Sequence, residues 1–184
     1  TVTGLRLARA HDADADDAEN AFRRLATAVA KYWICKRGPE HAYEAMECLG
    51  GNGYIEDFPV GRRYREQPVM AIWEGSGNVI ALDVLRAIAR EPESVDSFLA
   101  EVSRADGAHP AFDEYLADTR ALLTDVAAQD SATAARGARR LAEQLALTLQ
   151  ASLMIRHAPA PAAEAFVGAR LGSDRSRLYG SLPG

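Results

Sequence analysis

The sequence predicts an all-α fold, an up-down helical bundle, on three observations. Alanine and leucine dominate, while aromatic residues make up only 7% of the chain. Runs of β-branched residues are scarce, and apolar residues recur three and four apart over most of the length. A chain of 184 residues is long enough to bury a real core. Its net charge of -5 argues against a whole-surface attraction to nucleic acid, leaving only a local patch open. The two cysteines, Cys35 and Cys48, form no disulfide framework and read as reduced thiols of a cytoplasmic protein. No stretch reaches the roughly 18 apolar residues that a membrane span requires. There is no basic-then-apolar leader, and the four histidines lack ligand-like spacing, so neither membrane nor metal is expected.

The elements follow in order. Thr1 to Arg9 has helical spacing, with Leu5, Leu7 and Ala8 as an apolar strip, which suggests a start inside an element of a longer protein. The aspartates from Asp12 to Asp17 invite a calcium-loop reading. It fails, because Asp17 stands where glycine is required and Arg23 where the bidentate glutamate is required. Asp16-x-x-Glu19 is instead a capping box opening a helix whose inner face is Phe22, Leu25, Ala26, Val29 and Trp33. Lys36 and Arg37 suit the end of that helix, and Gly38-Pro39 is expected to stop it and open another. This second helix, near 40–49, would face Ala42, Ala45, Met46 and Leu49 inward until Gly50 and Gly51 end it. The stretch from Tyr54 to Arg65 is expected to be largely irregular, punctuated by Pro59, Gly61 and Pro68. A third helix starts after Ser76 or Asn78, carries Val79, Leu82, Val84, Leu85 and Ile88, and ends at Glu91-Pro92.

In the second half, Ser94 or Asp96 opens a helix through Phe98, Leu99 and Val102, and Gly107 to Pro110 breaks it. Phe112, Tyr115, Leu116, Thr119, Leu122, Leu123 and Val126 form one apolar stripe. Ala134, Ala138, Leu141, Leu145, Thr148, Leu149 and Ser152 form another, with small residues that permit close helix packing. After Pro159 and Pro161 comes a last helix near 162–171. The tail, 173–184, is polar, rich in glycine and expected to be mobile.

Irregular backbone is concentrated between Leu49 and Asn78. Three blocks stand out: Glu47-Cys48-Leu49-Gly50-Gly51-Asn52-Gly53-Tyr54, then Arg65-Glu66, then Trp73-Glu74-Gly75-Ser76-Gly77-Asn78. Their order and spacing resemble the C-terminal helical domain of flavin-dependent acyl-CoA dehydrogenases. Ile34-Cys35-Lys36-Arg37-Gly38, Trp73, Gly77-Asn78 and the helical extension after Arg90 look most like the alkylation-response (AidB-like) branch of that family. The resemblance implies a division into a flavin- and substrate-binding region at 1–92, an extension at 93–172 and the tail.

It also implies a site. Glu74 would be the catalytic base, with Gly75 and Trp73 beside an acyl-CoA thioester. Ser76, Gly77 and Asn78 would contact the subunit's own FAD. Glu47, Cys48, Leu49, Gly50 and Gly51 would meet the FAD of a neighbour in a dimer or tetramer. Removal of a proton beside the thioester carbonyl needs a closely held carboxylate, shielded here by Trp73 and the flavin. The flavin accepts the hydride and passes electrons to a further acceptor. Glu47 stands where the family commonly has glutamine, Glu66 where it has aspartate, and Asn78 where it has a longer glutamine. Arg65 reads equally as an ion-pair partner.

Two further readings go with this resemblance. The branch is associated with DNA-alkylation damage, and Arg136, Arg139 and Arg140, followed by Arg156, Arg170, Arg175 and Arg177, could form a DNA-binding face. Asp125, Asp130, Glu143, Glu164 and Asp174 interleave with them, which favours a solvated surface. The other is a non-catalytic helical interaction module. Faces meant for other domains should leave exposed apolar surface.

Overall fold

The computed structural model describes residues 2–183; the expectations for Thr1 and Gly184 lie outside the described residues. Among the described residues there are nine α-helices and no strand. They are α1 (Val2–Arg9), α2 (Asp17–Glu47), α3 (Gly51–Tyr54), α4 (Val60–Met70), α5 (Gly77–Arg90), α6 (Pro92–Val102), α7 (Pro110–Ala128), α8 (Ser131–His157) and α9 (Ala160–Arg170). A 3-10 turn at Ser103–Ala105 follows α6. No helix is long and apolar enough to cross a membrane.

α2 opens as its sequence predicts: Asp16 accepts from the Glu19 backbone N–H at 2.8 Å. The reciprocal half of the box is replaced, because the Glu19 carboxylate turns instead to Arg6 at 2.7 Å. Phe22, Leu25, Ala26 and Val29 are buried, with Trp33 partly so. α2 then runs straight through Pro39, correcting the expected break. The proline removes one intrahelical bond at a cost of about 3 kcal/mol. α4 lies along this part of α2. Gly38 sits so close to it that an added Cβ would lie 2.6 Å from Gln67 Oε1. Tertiary packing therefore holds a helix that local propensity would end. Ala42 is buried, but Ala45 and Leu49 are exposed and Met46 is only partly covered.

Residues 60–70 are helical rather than irregular. Arg62 and Glu66 pair one turn apart at 2.7 Å, and Lys31 of α2 donates to the Met70 carbonyl at 2.9 Å, satisfying the helix end. α5 turns Gly77, Ile80, Ala81, Val84 and Ala87 inward; Val79 and Leu82 are exposed, one position out of the expected register. Likewise α1 faces Leu7 inward and leaves Leu5 and Ala8 exposed. α6 starts at Pro92, earlier than expected, because proline suits a first helical position.

Both stripes of the second half are buried as read, with Leu122 only partly covered. α8 packs on α1, α2, α5, α7 and α9, so residues before and after position 92 share one continuous core. Its Thr148 hydroxyl meets that of Thr119 at 2.9 Å in the α7–α8 seam. Glu101, 6% exposed, is held between Arg6 at 3.2 Å and Arg156 at 2.8 Å. Burial alone would raise its pKa, but the two guanidiniums hold it below the usual carboxylate range. The tail contains no helix but folds back: Arg177 reaches Glu143 at 2.9 Å, and the Arg37 guanidinium lies 4.5 Å from the Tyr179 ring.

Candidate functional site

The turn between α4 and α5 carries the third block. Among the described residues Glu74 is the one non-glycine with positive φ, at 55°, and Gly75 follows at 113°. Two successive left-handed residues bend the chain sharply. An added Cβ at Gly75 would come within 3.3 Å of Ile80. A glutamate gains nothing locally from this conformation, which costs roughly 1–2 kcal/mol.

Glu74 lies at the edge of a recess of about 370 Å3 bordered by Arg23, Arg24, Lys31 and Asp83. Two of the nearby cations are engaged elsewhere: Arg24 with Asp83 and Glu91, Lys31 with the Met70 carbonyl. Glu74 is exposed, and Trp73 is 52% exposed. The expected shielding of the carboxylate is therefore not supplied by this chain's own folding, because α2 and α5 back the turn on one side only.

At the start of α5, Ser76 occupies the N-cap without a side-chain cap bond. The first N–H groups of the helix are thus left to an outside acceptor. Gly77 is buried, and an added Cβ would lie 2.5 Å from Lys36 Cε. Asn78 Oδ1 accepts from Arg139 Nε at 2.6 Å. Arginine offers only donors, so this bond leaves the Asn78 NH2 group as a donor. Backbone N–H groups, an amide and Lys36 together fit the oxygen acceptors of a cofactor such as FAD.

The first block lies elsewhere: none of residues 47–51 borders the Glu74 recess. Glu47, Cys48, Leu49, Gly50 and Gly51 are all exposed, with Tyr43 Oη donating to Glu47 at 3.3 Å. Gly50 has φ 56°, which favours glycine, whereas a Cβ on Gly51 would meet nothing within 4 Å. The bare backbone at Gly51 answers no need of this chain's own packing and leaves room for close approach from outside. Arg65 pairs with Glu56 at 2.8 Å, while Glu66 pairs with Arg62.

The arginines of the second half separate by role. Arg156 is partly buried against Glu101 and is structural. Arg136 bonds Thr133 of its own helix. Arg139, Arg140, Arg170, Arg175 and Arg177 turn into a single cavity, joined by Arg37 and the buried Tyr32 and Tyr115. Sequence reading grouped some of these cations, but not with α2, since nothing local links positions 32–37 to 139–177. Large exposed apolar side chains, among them Tyr54, Val69, Ile72, Trp73 and Val79, concentrate between 49 and 82.

Residues 1–89 match the family model described as acyl-CoA dehydrogenase, C-terminal domain, and this part of the chain belongs to that family. Over 166 residues, 90% of its length, the chain is 38% identical to the acyl-CoA dehydrogenase homologue AidB of Escherichia coli, of which it covers 29%. It is 31% identical over 156 residues to acyl-CoA dehydrogenase family member 11 of Caenorhabditis elegans, covering 77% of this chain and 25% of that one. The crystal structure of Caenorhabditis elegans ACDH-11 in complex with C11-CoA superposes with a TM-score of 0.72 at 26% identity, covering 90% of this chain and 32% of the other. The chain thus spans between a quarter and a third of the length of these relatives.

Proposed function

We propose that the chain is the C-terminal portion of a flavoprotein that dehydrogenates an acyl-CoA thioester between its α and β carbons. The strained backbone at Glu74 carries this reading. A left-handed glutamate followed by a glycine, at the mouth of an uncapped helix, is backbone strain of the kind that clusters at active sites, and it supports this reading.

In this reading Glu74 takes the α-proton. Gly75 leaves the thioester room beside the carboxylate, and Trp73 walls the acyl chain. The N–H groups of Gly77 and Asn78 and the Ser76 hydroxyl donate to cofactor oxygens. Residues 47–51, with bare backbone at Gly50 and Gly51, would meet the cofactor of a second subunit, which calls for a dimer or tetramer. FAD, when bound, would supply the hydride acceptor, and the reading calls for an electron-transfer partner. Residues 1–92 then form the cofactor- and substrate-bearing unit and 93–172 an extension buttressing it. The exposed Glu74 and Trp73 support a site completed by surfaces outside this chain.

The test is Glu74→Gln in the full-length protein. Flavin absorbance should be retained, and flavin bleaching by an acyl-CoA panel under anaerobic conditions should slow by at least a thousandfold. Bleaching at the unmodified rate would remove Glu74 from the role.

A further inference from the structure

Between α2, α7, α8 and the folded-back tail lies a cavity of about 610 Å3, in the size range of small-molecule sites. Six arginines line it against one carboxylate, Glu143, in a chain whose net charge is -5. Two of the six have acidic partners: Arg177 takes Glu143, and Arg37 takes Glu40. Among the described residues the other four, Arg139, Arg140, Arg170 and Arg175, pair with no carboxylate; Arg139 bonds the Asn78 amide oxygen and Arg170 bonds tail carbonyls. Burial and the neighbouring Arg37 hold the pKa of Arg170 below its ordinary value, so positive charge is crowded here rather than neutralised.

Tyr32 and Tyr115 are each only 7% exposed and also line the cavity. Among the described residues neither side chain makes a hydrogen bond, and both residues line the cavity wall. Burial raises the Tyr115 pKa to about 12, so its phenol stays protonated and remains a donor. Planar guanidiniums match phosphate oxygens in pairs, and aromatic rings at the wall suit a base or ribose. One inorganic phosphate would leave most of the volume empty. Tyr32 and Tyr115 are too little exposed to meet a duplex resting on the outer face.

From this geometry we infer a second ligand site, for the nucleoside diphosphate group of a small anion. It shares Arg139 with the cofactor contact at Asn78, but none of its lining residues belongs to the Glu74 turn, so the fate of ADP binding here and of turnover in Glu74→Gln are read separately. Free ADP, coenzyme A and FAD all carry this group.

Calorimetric titration of the 184-residue chain with ADP, pyrophosphate, inorganic phosphate, coenzyme A, FAD and a short DNA duplex tests the site. ADP should bind one-to-one, at least tenfold more tightly than phosphate. Arg140→Ala/Arg175→Ala, both on exposed side chains, should weaken ADP at least tenfold with an unchanged far-ultraviolet dichroism spectrum. Tighter binding of coenzyme A or FAD than of ADP, with the same arginine dependence, identifies the larger molecule that delivers the group. Failure of ADP, coenzyme A and FAD to saturate at millimolar concentration overturns the site. So does ADP binding indifferent to the two arginines, or a duplex that outcompetes ADP through them.

Discussion

Arg139 Nε, on α8, donates to Asn78 Oδ1, at the mouth of α5, across 2.6 Å and 61 residues of sequence. The extension thereby orients the amide of the third block. Its NH2 group is left as a donor, because the guanidinium has claimed the oxygen.

This contact has a measurable coupling. Arg139→Ala and Asn78→Ala should be non-additive in urea unfolding by about 0.5–1 kcal/mol, the scale of one exposed charge-assisted bond. In the full-length protein Arg139→Ala should also loosen flavin by roughly tenfold, for the same bond's worth of lost positioning. Additive unfolding effects would mean that the two side chains do not hold each other in solution.

Glu74→Gly separates strain from chemistry. Glycine accepts a φ of 55° freely. The variant should gain about 1 kcal/mol of stability, seen as a rise in melting temperature, and lose turnover in the full-length protein. A fall in melting temperature would show that the glutamate side chain stabilises the turn.

Pro39→Ala should stabilise the chain by about 1 kcal/mol or more, since it restores an intrahelical bond in α2 where the backbone is already helical. The urea midpoint should rise with an unchanged slope. A drop would show that α4 needs the proline ring.

The buried Glu101 sets an acid limit. Its folded pKa is depressed by Arg156 and Arg6 against the opposing effect of burial, so its contribution is present above the unfolded carboxylate pKa and disappears as pH falls through the folded value. Glu101→Gln should cost roughly 3 kcal/mol at neutral pH by leaving Arg156 without its counter-charge, while Arg6 keeps Glu19. It should also flatten the loss of stability on acidification below about pH 4.5. An unchanged acid profile would exclude this carboxylate as its source.

Legibility in the sequence followed periodicity. The stripes from Phe112 to Val126 and from Ala134 to Ser152 were read almost residue for residue, because neither contains a proline and Gly137 leaves the helix unbroken. Pro39 and Pro68 misled for the opposite reason: each is a strong local stop overruled by packing between α2 and α4. The register of α5 slipped because apolar residues nearly encircle it, and only the structure shows that Val79 and Leu82 face out. At the site, the three blocks were visible as motifs, and the strain at Glu74 was not, since backbone angles leave no mark on residue type. The arginine-lined cavity was hidden because its walls come from segments more than a hundred residues apart.

Because α8 runs down the middle of the assembly and is shared by helices from both ends of the chain, neither half has a complete interior of its own. Severing the polypeptide after α5 would not release a small autonomous module; it would strip the inner face of Ile80 and Val84 and leave it sticky. Differential scanning calorimetry should accordingly record one endotherm, so any lesion in that spine is felt at the remote strained turn.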